Sequence, residues 1–306
     1  MKTPELSVVV PVYGQFDIAR ACVSIQSVLS QKGINYEVIV SEQGESPEFP
    51  EIPGVKHIFN YHKPQQDLSD YNPGNVRNNA IALVNGEFIY TNDADIVFID
   101  PEYLSRALQE IRADQSLVFY RPFMRRLPID EFEEFERIVK RYGMENAISR
   151  LDLTQRHIAT LNGKKREIRV FEKESTYHKT FTAFEEDFQK YVADERNKGR
   201  EPIFWNENRH CGGNIFRKSQ FLEVGGYSED FINWGCEDSD LQWKFSEAYK
   251  LRFFPADFEV MHLDHPKEYF SPEMWKKNEE ISRKRVAEGL EMSVEHDRRN
   301  KLWLQQ

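Results

Sequence analysis

Apolar residues along this chain switch between two spacings, and the switches mark its elements. Residues 6–12, LSVVVPV, are a short β-branched run of the kind that forms a strand buried on both faces of a parallel sheet. Over 17–31 the spacing becomes helical, with Ile18, Cys22, Ile25 and Leu29 on one side. YEVIVSEQG then reads as a second strand ending in a glycine turn, and VKHIFNY as a short third one. PGNVRNNAIALVNG reads as a loop running into a helix that Gly86 closes. EFIYTNDADIVFI follows as a fourth strand and SLVFYRP as a fifth. Strands alternating with helices predict a doubly wound α/β sheet. In such sheets ligands bind beyond the carboxyl ends of the strands, so Ser41–Gly44 and Asn92–Asp95 should share one crevice.

From 121 to 209 the character changes to Arg, Lys, Glu and Phe, with helical spacing in DEFEEFERIVKRYG. This segment reads as a mostly helical insertion whose mixed charges form a solvated face. Residues 210–270 return to Gly-punctuated pieces: HCGGN, FRKSQFLEVGGY, FINWGCEDSDLQWKF and LRFFPADFEVMHLDHP. Residues 271–306 form a helical tail, with Ser271 as N-cap and Pro272 in the first turn, and its last residues, DRRNKLWLQQ, are expected to fray.

Composition narrows the function. The 306 residues are 40% apolar and 30% charged, enough to bury a sizeable core. A net charge of -10 and the lack of a strongly basic domain argue against nucleic acid as the main partner. An acidic protein that binds an anionic ligand must bring a cation or a local cluster of donors. Cys22, Cys211 and Cys236 are too few and too scattered for a disulfide framework or a zinc cage. With no apolar stretch of about 18 residues, the expectation is a cytoplasmic protein without a membrane span, able at most to associate peripherally with a membrane.

Four constellations carry candidate chemistry. Asp93-Ala94-Asp95 places two carboxylates at i and i+2 at a strand end, where both can reach a hard cation such as Mg²⁺ or Mn²⁺; the bland alternative is a surface turn. In NWGCED, Gly235 permits a tight turn, Trp234 offers a flat face for a sugar, and Glu237 and Asp238 open a helix. Carboxylates there can act as general base, or can merely complement the helix dipole. His262 and His265 follow the strand-like FEV and can complete an oxygen-rich metal site, His262 being the first choice and His265 the second. Gly74 to Asn78 lets backbone approach a ligand, with Arg77 able to reach a phosphate or to form a structural ion pair.

In this order the motifs resemble inverting glycosyltransferases of the GT-A fold, a Rossmann-like, doubly wound mixed sheet. VVVPVY, the acidic strand end, the RN pair and the DxD are similar to bacterial family-2 enzymes. CGGN, FLEVGGY and NWGCED are similar to the region shared by β-1,4-galactosyltransferases and chondroitin-polymerase-type domains. The resemblance implies a nucleotide-sugar-binding half over 1–120 and an acceptor and catalytic half over 210–270. Pro11, Val12, Tyr13, Glu42, Arg77, Asn78, Asp93 and Gly213 would contact the donor, although SEQG departs from the commoner DDGS at Glu42. Asp93, Asp95 and His262 would hold Mn²⁺ or Mg²⁺. Asp238 would be the catalytic base, and Glu237 and Trp234 would bind the acceptor. The implied function is transfer from a UDP-hexose or UDP-HexNAc donor to a saccharide or glycoconjugate acceptor, as in polysaccharide biosynthesis. The competing readings are a sugar-nucleotide-binding or scaffolding module without turnover and a nucleotidyltransferase. The latter would need a Gly-rich phosphate loop that VPVYGQFD lacks.

Overall fold

The computed structural model of the chain describes residues 2–14, 17–62, 71–155, 157–161, 163, 169–171, 204–206, 209–233, 235–266, 271–299 and 301. Its strands are β1 (Leu6–Tyr13), β2 (Tyr36–Gly44), β3 (Val55–Tyr61), β4 (Phe88–Thr91), β5 (Ile96–Phe98), β6 (Leu117–Tyr120) and β7 (Phe123–Leu127), the short β8 (Leu151–Asp152), β9 (Thr160–Leu161), β10 (Arg169–Phe171) and β11 (Phe204–Asn206), then β12 (Asn214–Arg217), β13 (Lys250–Phe253) and β14 (Glu259–Leu263). The helices are α1 (Ile18–Leu29), α2 (Pro73–Ile81), α3 (Tyr103–Arg112), α4 (Phe132–Tyr142), α5 (Met144–Ser149), α6 (Lys218–Glu223), α7 (Glu237–Ala248), α8 (Pro272–Glu288) and α9 (Leu290–Arg299).

Seven strands form one mixed sheet in the order β13-β6-β12-β4-β1-β2-β3. β1 pairs parallel with β2 and β4, while β12 runs antiparallel between β4 and β6. The period of two along a strand divides β1 between two cores. Val8, Val10 and Val12 face a cluster containing α1 and α3 side chains such as Ile25 and Leu108. Val9 faces the opposite cluster with Ile81, Phe221, Leu241 and Phe245 from α2, α6 and α7. The valines of β1 thus need helices on both faces. A second sheet, β5-β14-β7, packs with α4 over Val97, Leu127 and Met261.

Several expectations are corrected. EFIYTNDADIVFI is not one strand: β4 and β5 belong to different sheets, because the chain turns at Asp93–Ile96. That turn is pinned by the Ser24 hydroxyl of α1, which donates to the Ile96 carbonyl at 2.6 Å, and by the Asn92 amide, which donates to the same oxygen at 3.2 Å. The helix in PGNVRNNAIALVNG stops at Ile81, with Ala82 as its cap; Gly86 lies beyond it, its N–H donating to Ser7 Oγ. The segment after 121 contains the expected helix as α4 and begins with β7, which pairs residue for residue with β14, while 172–203 lie outside the described residues. At the other end Asp297 is held, 3% exposed and ion-paired to Lys244 and Arg285, while 300 and 302–306 lie outside the described residues.

Candidate active site

The carboxyl ends of β1, β2 and β4 lie side by side, as the doubly wound pattern requires, and α7 points its N-terminus at them. Its first turn carries Glu237, Asp238 and Asp240, all buried. The loop before it is unusual: Asn233, Gly235 and Cys236 have φ of 64°, 106° and 75°. Left-handed conformations cost non-glycine residues about 1 kcal/mol or more, and such strain gathers at functional sites.

Arg77 is the hub of the site. It rises from α2, is 3% exposed, and donates from Nη2 to Asp93 Oδ1 at 2.6 Å and from Nη1 to Glu237 Oε1 at 3.3 Å. Asp238 Oδ2 lies 3.8 Å from the same guanidinium. One cation therefore joins the first carboxylate of the DxD to the Glu-Asp pair, with 160 residues of sequence between Arg77 and Glu237. Tyr227 completes the setting: its hydroxyl donates to Asp238 Oδ1 at 3.2 Å, and its ring lies 5.3 Å below the Arg77 guanidinium. Burial pushes Glu237 up from 4.5 to about 7, with the Asp238 charge adding to the effect and Arg77 opposing it. Burial also raises Asp238, against the pull of Arg77 and the Tyr227 hydrogen bond.

A second cluster lies at Asp95. Its Oδ2 is 3.2 Å from His262 Nε2 and 3.1 Å from His265 Nε2, and the three groups offer one ligand atom each within 4.8 Å of one another. Both histidines reach the carboxylate, so His265 is as well placed as His262. Burial alone would raise the Asp95 pKa, but the two imidazoles hold it well below the ordinary carboxylate range. Asp93 is not in this group: its carboxylate turns to Arg77, with His210 Nε2 3.6 Å away.

The remaining predicted residues separate. Glu42 is fully buried and its carboxylate is occupied internally, accepting from the Glu48 and Phe49 N–H groups and lying 2.8 Å from His57. Asn78 is also buried; it clamps the 227–229 turn, donating to the Tyr227 carbonyl and to Glu229 while accepting from the Tyr227 N–H. The RN pair splits because neighbours on a helix point about 100° apart. Pro11 and Val12 are buried at the end of β1, and Tyr13 is partly exposed, its ring 5.0 Å from that of Tyr71. Of the two glycines, Gly212 is the one against Asp93, where a Cβ would lie 2.5 Å from Oδ2, whereas Gly213 packs on Pro122. Trp234 lies outside the described residues.

Sequence reasoning missed His210, Tyr227 and, behind His262, Asp264 and Arg126, which approach its Nδ1 at 2.8 and 3.5 Å. His210 is 5% exposed, its Nε2 makes no hydrogen bond, and burial lowers its pKa. The first two stand at the edges of HCGGN and VGGY, so their position beside glycine turns was the available signal.

A mixed, doubly wound sheet with a DxD turn and an acidic helix start at the strand ends defines the GT-A class of fold. The chain belongs to glycosyl transferase family 2, whose model matches residues 7–192, more than half of its length. A second family model, the N-terminal domain of galactosyltransferase, matches residues 203–268. No curated protein matches. Among solved structures, S. aureus TarS 1–349 in complex with UDP-GlcNAc is 15% identical with a TM-score of 0.50, covering 96% of this chain and 69% of that one. The mannosyltransferase PcManGT from Pyrobaculum calidifontis, in complex with GDP-Man and Mn²⁺, is 14% identical with a TM-score of 0.47. That likeness covers 88% of this chain but only 59% of the mannosyltransferase. Among the described residues no helix is long and apolar enough to cross a membrane.

Proposed function

We propose that this protein transfers a sugar from a nucleotide-sugar donor to a hydroxyl of a saccharide acceptor with inversion, using a divalent cation. The observation that carries this reading is the pair of clusters at one end of the sheet: a carboxylate–imidazole cluster at Asp95, and two buried acids at a helix start joined to the neighbouring Asp93 by Arg77. The donor set of Asp95, His262 and His265 fits an ion, since one oxygen and two ring nitrogens lie within 4.8 Å of one another. Two imidazoles favour Mn²⁺ over Mg²⁺. Such an ion supplies Lewis-acid stabilisation of the departing diphosphate. The donor expected from the resemblance is a UDP-hexose or UDP-HexNAc.

The protein's own groups do the rest. Asp238 accepts the acceptor hydroxyl proton as that oxygen attacks the anomeric carbon. The bond from that carbon to the diphosphate oxygen breaks, and its electron pair leaves with the nucleoside diphosphate. Arg77 and Tyr227 favour the charged form of Asp238, which keeps it competent as a base. Glu237, pushed up to about 7, holds a proton near neutrality and can donate a hydrogen bond to the acceptor. Arg77 keeps Asp93 aligned beside the donor.

Nucleoside diphosphate release and sugar transfer, measured with Mn²⁺ and with excess chelator, test the proposal. Transfer should require the ion, and Asp238→Asn should lower turnover by about 10²–10⁴-fold with donor binding preserved. Full activity in chelator removes the metal role. Normal turnover by Asp238→Asn together with a dead Glu237→Gln moves the base to Glu237. Donor binding without any release makes the chain a binding module.

A further inference from the structure

We propose that Asp264 is a positioning residue for the metal site: it fixes the ring of His262 and shields it from the buried cation of Arg126. This rests on the reading that Asp95, His262 and His265 hold a divalent ion. His262 lies on β14 and Asp264 just beyond its end, two residues on and hence on the same side of the extended chain. The strand register sets His262 opposite Arg126 of β7. That pairing brings Arg126 Nη1 to 3.5 Å from His262 Nδ1, and a guanidinium there opposes any cation on the far side of the ring. Asp264 Oδ1 answers both groups at once, at 2.8 Å from His262 Nδ1 and 2.5 Å from Arg126 Nη1.

The geometry assigns the proton. With Nδ1–H donating to Asp264, the lone pair of neutral His262 lies on Nε2, the atom that faces Asp95. His265 is held in the same tautomer by a different acceptor, its Nδ1 lying 2.9 Å from the Pro266 carbonyl oxygen. Asp264 is itself anchored through its backbone. Its N–H donates to the Leu127 carbonyl at 3.0 Å, and its carbonyl accepts from Arg20 Nη2 at 2.8 Å and Nε at 3.2 Å. Asp264 is 8% exposed, so solvent screens its carboxylate little from its partners.

The test is Mn²⁺ binding to the full chain, read by calorimetry and by the ¹⁴N couplings of bound Mn²⁺ in pulsed electron paramagnetic resonance. Wild type should bind with two imidazole couplings. Asp264→Leu should bind about 10–100-fold more weakly, as expected on loss of an outer-shell partner, with one coupling weakened or lost. Asp264→Asn keeps an acceptor for Nδ1–H without the charge and should fall between them. Replacing the cation as well, in Asp264→Leu/Arg126→Met, should recover part of the affinity. Circular dichroism without metal checks folding; if Asp264→Leu does not fold, Asp264→Asn decides, and wild-type affinity in that variant overturns the proposal. Wild-type affinity and both couplings in a folded Asp264→Leu also overturn it while leaving the metal site standing. Absence of Mn²⁺ binding by wild type sinks the metal reading and this proposal with it.

Discussion

Glu237 stands in a costly position: the residue is 7% exposed and its carboxyl lies beside a second acid. Its pKa of about 7 lies above the ordinary 4.5, so the folded state keeps a proton that the unfolded chain has released. The associated stability is present below pH 4.5 and is lost as pH rises through 7. At 1.36 kcal/mol per unit, the swing is on the order of 3 kcal/mol. Glu237→Gln should therefore gain on wild type as pH rises, by about that amount between pH 4.5 and 8. Urea midpoints of the two proteins at both ends of this range measure it, and a gap that does not change with pH contradicts it. Arg77 works in the other direction. Its buried charge is matched by Asp93, Glu237 and Asp238, so Arg77→Met should leave three acids without their common partner and weaken donor binding as well as the fold.

α7 owes its aim to the turn before it, and that turn is held from outside. Asn278 of α8 donates from Nδ2 to the carbonyls of Ile232 and Gly235, at 2.9 and 3.1 Å. Trp275 lies against Gly235 so closely that a Cβ there would stand 2.3 Å from Cζ3. Glycine is required twice, for a φ of +106° and for this contact. Gly235→Ala should cost about 3 kcal/mol, combining left-handed strain with overpacking. A double-mutant cycle separates the two parts: Trp275→Leu should relieve the steric share and leave the backbone share. Strictly additive effects, read from denaturation midpoints, would show that the ring contact is not what excludes a side chain.

The helices α8 and α9 lie beyond both matched family segments, yet they are joined to α7 by a buried network. Lys244 is fully buried and pairs with Asp240 and Asp297; Arg285 donates to the same two acids. Lys301 adds a third cation, its pKa pushed down to about 8 by burial. The network includes Asp240, two residues from Asp238 on α7, so loosening it should reach the site. Breaking a buried pair from one side leaves an uncompensated charge and typically costs 3–5 kcal/mol. Asp297→Ala, which leaves Lys244 and Arg285 to share Asp240, should lose about that much in chemical denaturation; a loss below about 1 kcal/mol would show that Asp240 and water replace the carboxylate.

The alternation of strands and helices, the placement of the DxD at a strand end and the acidic start of α7 are legible in the linear chain. All three are local: burial imposes a period of 2 or 3.6, and a helix start with its preceding glycine is written within a few residues. The assembled fold sets where β12 inserts, that residues 88–98 divide between two sheets, and that β7 belongs to the second of them. It also decided the roles within motifs. Asp93 and Asp95 look alike in sequence, but one meets Arg77 and the other two histidines about 170 residues away. Arg77 and Asn78 are neighbours that a helix turns to different partners, and Glu42 is consumed by the loop it anchors. Charge pairing and strand register depend on groups brought together from distant parts of the chain, and no local period encodes them.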